Sequence, residues 1–203
     1  MSRLTRDWES HLKDETSNPL PMVVDNPGDG DCLHWSILFF LLTIGYIPSL
    51  MDTLKRGGCT KEVCQSIMVE MRNMMADWVS NNRSIVEQNV TNVKVSDNVV
   101  KHIRTDGWNT SMGDQLPTFY AVWLYKQFNI ALQITSDKAS EGYYLLNAIK
   151  DNSLLETGLL MGTRRNQKPQ KVMRLLRTGN HYRVIMLEEF KFIDCGRCFR
   201  KSH

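Results

Sequence analysis

Long apolar runs, a strong charge imbalance and internal repeats are all missing from this sequence of 203 residues. The first twenty residues are polar, so we expect no secretory signal. The apolar run 37–42 is far shorter than the roughly 20 residues of a membrane span. The formal net charge is only +3, and the scattered basic residues argue against a nucleic-acid surface. We therefore expect a cytoplasmic protein with no membrane or nucleic-acid partner.

Cysteines are few and odd in number. The chain has five, and without a secretory signal we expect them to remain thiols in a reducing compartment. A structural zinc site would require distant segments to meet, and its candidate ligands are Cys59, Cys64, Cys195, Cys198 and His203. The spacing of the first two is wider than in usual zinc-binding pairs. Ordinary thiols are therefore favoured, and the zinc site stays open as the alternative.

The most informative segment is the polar turn Pro27–Asp31, which is followed by Cys32 and an apolar run to Leu42. Glycine and aspartate favour a tight turn, and the apolar run is long enough for a buried helix. The thiol is thus predicted at a helix N-terminus, where the helix dipole favours thiolate and backbone N–H groups can stabilise an oxyanion. Far downstream, His181 precedes the strand-like run 184–187. This combination is typical of a cysteine-protease dyad.

Hydrophobic periodicity predicts mostly helices in the first part of the chain and strands after them. Apolar residues recur every three to four positions in 61–79, whereas later apolar residues form short runs. The predicted helices are 32–43, 61–79, 96–104 and 116–128, and the predicted strands are 22–24, 130–134, 143–146, 172–176 and 182–187. Segregated helices and strands indicate an α+β domain. No linker divides the sequence, so we expect a single domain over residues 1–203.

Helix breakers and residue types refine these boundaries. Gly45 and Pro48 are predicted to end the helix that begins at Cys32, and the pair Asn81-Asn82 to end the next helix. The apolar stripe of that second helix is interpreted as core, and it consists of Val63, Ile67, Met71, Met74, Met75 and Trp78. A short N-terminal helix, a basic loop over 162–170 and a C-terminal tail are also predicted.

Three sequence blocks together resemble a known family. Asp29-Gly30-Asp31-Cys32-Leu33 resembles the D-G-N-C-[FL] signature of the ovarian-tumour (OTU) family of deubiquitinating cysteine proteases, with Asp31 in place of the usual asparagine. The segment 108–134 resembles the family's Trp-Gly element with its following helix and strand, and 180–182 resembles its histidine block. The chain is similar to the viral branch, in particular the N-terminal OTU domain of nairovirus-like L proteins. The three blocks lie within 27–187.

The resemblance implies an OTU-type, papain-like fold with helices packed around a small, mostly antiparallel sheet. It implies a monomeric enzyme, without metal or organic cofactor, that removes ubiquitin or ubiquitin-like modifiers from host proteins and so antagonises innate immunity. Cys32 would be the nucleophile and His181 the base, and Asp29 would shape the oxyanion loop. The expected substrate-binding residues are Trp108, Asn109 and Tyr182, although Trp108 is equally compatible with a place in the core.

The third catalytic residue is where the sequence departs from the family pattern. Many OTU enzymes carry aspartate or asparagine two positions after the histidine, but here that residue is Arg183, whose guanidinium has only donors. Asp25 and Asn26, which precede the cysteine turn, are the candidate orienting residues. A dyad without a third residue is the alternative.

Two rival functions follow from the same residues. One is a protease of this fold that processes a viral polyprotein, which differs in substrate and not in chemistry. The other is a catalytically impaired protein that binds ubiquitin, an option suggested by Arg183.

Overall fold

The computed structural model describes residues 21–27, 30–44, 46–58, 60–90, 93–105, 115–136, 143–146, 171–187 and 200–201. This part of the chain contains six helices and six strands. The helices are α1 (Cys32–Thr43), α2 (Pro48–Gly57), α3 (Lys61–Asn81), α4 (Arg83–Asn89), α5 (Asp97–Thr105) and α6 (Leu116–Phe128). The strands are β1 (Pro21–Asp25), β2 (Ile130–Ser136), β3 (Tyr143–Leu146), β4 (Lys171–Thr178), β5 (His181–Leu187) and β6 (Arg200–Lys201).

The strands form one mixed sheet in the order β3-β2-β4-β5-β1-β6. Neighbouring strands are antiparallel, except that β2 and β4 run parallel. The first strand lies inside the sheet, between β5 and β6, although it precedes every other element described. The α+β class predicted from the sequence is confirmed.

Helix α1 lies in the hydrophobic core of the described part of the chain. Every residue from Cys32 to Leu42 is buried and, except for His34 and Ser36, none has a strongly polar side chain, as expected of a helix enclosed by the fold. It packs against β5 and α3, while α6 packs against β2 and α3. Helix α3 also contacts α2 and α5, so it connects most of the helical layer. The core thus surrounds the helix that carries Cys32 at its start.

The predicted helix 61–79 corresponds to α3, which starts where its capping residue predicts. The Thr60 hydroxyl accepts a hydrogen bond from the Val63 N–H at 3.2 Å and caps the helix. The interpretation of the apolar stripe of this helix as core is wrong at one position, because Met74 is 36% exposed while Met71 and Met75 are fully buried. Met71 and Met75 are one helical turn apart and share the buried face, whereas Met74 lies at its edge.

Two short helices were not predicted from the sequence. The sequence predicts a helix stop at Pro48, but α2 begins at that residue. Proline is tolerated in the first helical turn because its missing N–H is not needed there. Similarly, the asparagine pair ends α3, but the chain then continues directly into α4.

Other boundaries agree with prediction to within a few residues. Helices α1 and α6 and strand β3 match their predicted bounds, and the remaining predicted strands are longer by one to three residues. The predicted N-terminal helix and the basic loop 162–170 lie outside the described residues. Within the tail, residues 200–201 form β6 and pair with Val24 and Asp25.

Within the described ranges, no single helix is long and apolar enough to cross a membrane. The bent pair α1 and α2 passes the length and composition test when taken together, with a turn of 95° between the two helices.

Candidate active site

Cys32 is the first residue of α1, as predicted. The helix begins with the hydrogen bond from the Trp35 N–H to the Asp31 carbonyl at 2.9 Å. Asp31 occupies the N-cap position, but its side chain does not cap the helix. Helix N-termini carry a partial positive charge and N–H groups that lack intrahelical acceptors. The thiol therefore lies where a thiolate is stabilised.

The Cys32 sulfur lies against the backbone on both sides of His181. The Tyr182 N–H donates to Sγ at 3.4 Å, and the thiol donates to the Asn180 carbonyl at 3.7 Å. The residue as a whole is only 2% exposed. The two sequence blocks that were predicted to supply nucleophile and base are thus brought together, although they are far apart in the chain.

His181 is the first residue of β5, and Asp25 is its partner on the neighbouring strand. The Asp25 carboxylate lies 2.8 Å from Nε2 of His181. An ionised carboxylate can only accept hydrogen bonds. Nε2 of His181 therefore carries the hydrogen and donates a hydrogen bond to Oδ1 of Asp25. This tautomer leaves the lone pair of the imidazole on Nδ1, which is the nitrogen available to act as a base.

The strand register explains why Asp25 and not Asn26 reaches the histidine. In the antiparallel pair of β1 and β5, Val24 lies opposite Val184. Continuing that register places Asp25 opposite Arg183, so the side chains of these two residues lie on the same face of the sheet. His181 is two positions from Arg183 on β5 and shares that face, so Asp25 and His181 are diagonal neighbours. Adjacent residues of a strand point to opposite faces, so Asn26 points the other way. Of the two candidate orienting residues, the structure brings Asp25 to the histidine.

Asp25 is held in its charged form. Partial burial raises the pKa of its carboxyl, but hydrogen bonds from His181 and from the Asn26 N–H oppose this, as do the charge that His181 carries when protonated and the charge of Arg183. The net pKa of Asp25 lies below its ordinary value of 3.8. Asp25 is therefore a carboxylate throughout the neutral range.

Arg183 supports this carboxylate and does not replace it. Its Nη2 donates to the Thr178 hydroxyl at 2.7 Å, across the β4–β5 pair. Its positive charge is one of the factors that lower the pKa of Asp25. The residue that breaks the family pattern therefore stabilises the carboxylate supplied by β1.

Asn26 has a different role, which the sequence did not reveal. Its Nδ2 donates to the Tyr182 carbonyl at 2.8 Å and to the Ser36 hydroxyl at 3.0 Å. Ser36 in turn donates to the same carbonyl at 3.2 Å. These bonds join the end of β1, the first turns of α1 and the start of β5. Ser36 has a signal in the sequence, because it is a hydroxyl in an apolar helix, one turn after Cys32.

Tyr182 contacts the site through its backbone. The residue was predicted to bind substrate, which stays a prediction, and in the structure it is only 1% exposed. The Arg177 guanidinium lies 5.9 Å from the centre of its ring. Its N–H and carbonyl contact the cysteine and the Asn26–Ser36 pair. The buried ring therefore offers no surface to a substrate in this structure.

The other predicted site residues lie outside the described residues. These are Asp29, Trp108 and Asn109. Cys59, Cys195, Cys198 and His203, which were considered as zinc ligands, lie outside as well. The fifth candidate, Cys64, is buried in the core. Within the described ranges, no group of three or more histidine, cysteine, aspartate or glutamate residues could hold a metal ion.

No protein-family model matches this sequence, and no curated protein matches it significantly.

Proposed function

We propose that this chain is a cysteine protease that hydrolyses the bond after the C-terminal glycine of ubiquitin or of a ubiquitin-like modifier. The observation that carries the proposal is the contact of the Asp25 carboxylate with His181 Nε2 at 2.8 Å, beside a cysteine at a helix N-terminus. A nucleophile, a base and a residue that orients the base are the parts that thiol hydrolysis requires.

The proposed reaction proceeds through an acyl-enzyme. His181 Nδ1 takes the proton of the Cys32 thiol, and the thiolate attacks the carbonyl carbon of the scissile amide. The tetrahedral intermediate collapses as His181 gives that proton to the leaving amine, and a thioester to Cys32 remains. His181 then takes a proton from water, the resulting hydroxide displaces the cysteine, and the thiolate accepts the proton back from the histidine.

Two parts of the fold support the charges that develop. The imidazolium formed in each half of the reaction faces the Asp25 carboxylate, which lowers its free energy. The carbonyl oxygen becomes an oxyanion next to the N-terminus of α1, where backbone N–H groups can donate to it. Asp29 is proposed to shape this oxyanion loop.

The substrate class comes from the resemblance to the OTU family. The blocks around Cys32, Trp108 and His181 are those in which the chain is similar to viral OTU domains. We accordingly propose that ubiquitinated host proteins are the substrates, that Trp108 and Asn109 line the channel for the modifier's tail, and that the enzyme acts in the host cytoplasm against innate immunity.

One alternative function, a catalytically impaired protein that binds ubiquitin, was suggested by Arg183, because an arginine side chain cannot accept a hydrogen bond from the histidine. The contact between Asp25 and His181 supports an active enzyme, since another residue occupies the orienting position. Polyprotein processing would use the same three residues, so only the substrate distinguishes it.

The direct test is covalent capture by ubiquitin with an electrophilic C-terminus, followed by turnover of a fluorogenic ubiquitin amide. We expect one adduct per chain, mapped to Cys32 by mass spectrometry, and its complete loss in Cys32→Ala. Cys64→Ala removes a different buried thiol and should keep both capture and turnover. A folded protein that forms no adduct would contradict the proposal. Cleavage of viral polyprotein junctions without any reaction with ubiquitin would support the alternative substrate.

A further inference from the structure

Arg72 is a buried cation that the proposed chemistry does not use. It lies on α3 among the buried methionines and is only 4% exposed. Burying a guanidinium is unfavourable unless its donors and its charge are matched. Its partners therefore indicate what it does.

Arg72 joins two separate segments of the chain. Its Nε and Nη2 donate to the Ile103 carbonyl at 3.2 and 3.1 Å. Its Nη1 donates to Oδ1 of Asp31 at 3.4 Å. Ile103 lies in the last turn of α5, and Asp31 directly precedes Cys32. One guanidinium thus connects the nucleophile's turn to the end of a helix.

Asp31 has a second neighbour in the same buried region. His34 Nε2 lies 3.8 Å from Oδ1 of Asp31, and His34 Nδ1 lies 2.6 Å from the Tyr120 hydroxyl. His34 and Tyr120 are fully buried. The Asp31 side chain is therefore directed into the helical layer and does not cap α1. This arrangement fixes the residue that sets the entry of the chain into α1.

A contribution to stability alone would not require this arrangement. Replacing a buried ion pair by apolar residues of similar volume is often neutral or stabilising, and α3 already supplies methionines at neighbouring buried positions. A planar guanidinium, in contrast, can hold two acceptors in a set geometry. That property is useful where a short turn must hold a reacting atom.

We propose that Arg72 is a positioning residue for Cys32, which acts by holding the Asp31 carboxylate. This inference depends on the proposed function, because it assigns Arg72 to the same reaction. Arg72 touches no reacting atom. Its loss should therefore change the rate of the chemical step more than the affinity for substrate.

The test compares Arg72→Met, Asp31→Ala and Asp31→Asn. Arg72→Met and Asp31→Ala should each lower kcat on the order of 10²-fold, with KM changed by less than about threefold. Asp31→Asn keeps an oxygen that accepts from Arg72, so it should stay within about fivefold of the wild-type rate. The double variant Arg72→Met, Asp31→Ala should lose little more than either single variant, because both act through one contact.

Arg104→Met is the matched control. Like Arg72, Arg104 connects α5 to α3, but its partners are Asn73 and Asp77, away from the cysteine turn. It should lower the melting temperature slightly and leave kcat unchanged. If Arg72→Met does not fold, the comparison of Asp31→Ala with Asp31→Asn decides whether the contact positions Cys32. The Asp31 side chain is partly exposed and therefore easier to replace.

A second readout needs no ubiquitin. The rate of alkylation of Cys32 by iodoacetamide, measured by peptide mass spectrometry, should fall about tenfold in Arg72→Met and Asp31→Ala and be largely retained in Asp31→Asn. If the wild type does not cleave ubiquitin, the proposed function fails and this measurement alone decides the role of Arg72. The inference is overturned if Arg72→Met and Asp31→Ala lower only the melting temperature, as Arg104→Met should.

Discussion

Removal of the Asp25 carboxylate should slow the reaction without weakening substrate binding. The carboxylate accepts the Nε2–H of His181 at 2.8 Å and holds the imidazole in the tautomer that exposes Nδ1. In the transition state the ring becomes positively charged, and the carboxylate stabilises that charge. Asp25→Ala removes the acceptor and the charge, whereas Asp25→Asn removes mainly the charge.

The expected magnitude follows from the exposure of the pair. Two unit charges about 4 Å apart interact by about 4 kcal/mol at an effective dielectric constant of about 20. The Asp25 side chain is 45% exposed and that of His181 31%, so solvent screens part of this energy. About 2–3 kcal/mol then remains, which corresponds to about 10²-fold in kcat for Asp25→Ala. Asp25→Asn should lose a similar factor, because it removes the same charge, although its amide oxygen can still accept a hydrogen bond.

The assay is steady-state hydrolysis of a fluorogenic ubiquitin amide at neutral pH, with melting temperatures measured in parallel. Asp52→Ala is the control, because Asp52 is an exposed carboxylate on α2 that pairs only loosely with Lys55 at 3.9 Å. We expect it to retain the wild-type kcat. A folded Asp25→Ala protein with the wild-type kcat would refute the reasoning, since His181 would then need no orienting carboxylate.

Three further predictions concern the surroundings of this pair. Asn26→Ala should lower the melting temperature by several degrees and kcat by about tenfold, because the bonds that join β1, α1 and β5 are lost; a variant with neither effect would show that they are dispensable. Ser36→Ala should show a smaller loss by the same thermal and kinetic measurements, because Asn26 still donates to the Tyr182 carbonyl. The Asp25 carboxylate should stabilise the fold at pH values above 3.8 and stop doing so as the pH falls through its lowered folded pKa. The melting-temperature difference between wild type and Asp25→Ala, measured from about pH 5 to pH 2, should therefore shrink with acidification, and a difference that grew would contradict the sign of that pKa shift.

The start of α1 could be predicted from the sequence because its signals are local. A polar turn gives way to an apolar run at Cys32, and both are read within a dozen residues. The start of the strand at His181 was predicted one residue late, because the ends of strands carry weaker local signals than the starts of helices.

The orienting residue could only be narrowed to Asp25 or Asn26. Neighbouring residues on a strand face opposite sides, and which of them faces His181 depends on the register of β1 against β5. That register is set by the Val24–Val184 pairing, between residues far apart in the chain. The residues around Asp25 therefore do not indicate the register of β1 against β5.

Arg72 was missed for a related reason. Its position in α3 continues a helical pattern, and arginine in such a pattern normally indicates an exposed face. Its burial depends on two acceptors, the Asp31 carboxylate and the Ile103 carbonyl, which come from other elements. A buried charge is recognised from its partners, and these are known only once the fold is known.

The position of β1 between β5 and β6 has a consequence for how the protein folds. Asp25 and His181 are 156 residues apart in the chain, and the sulfur of Cys32 meets a backbone group 150 residues later. Contacts of such separation form late, because the loop between them must close before they contribute. During synthesis the thiol emerges long before its base and its carboxylate partner are assembled around it. The nucleophile should therefore be catalytically inactive on the ribosome, and hydrolysis by Cys32 should begin only after β1 and β5 have paired.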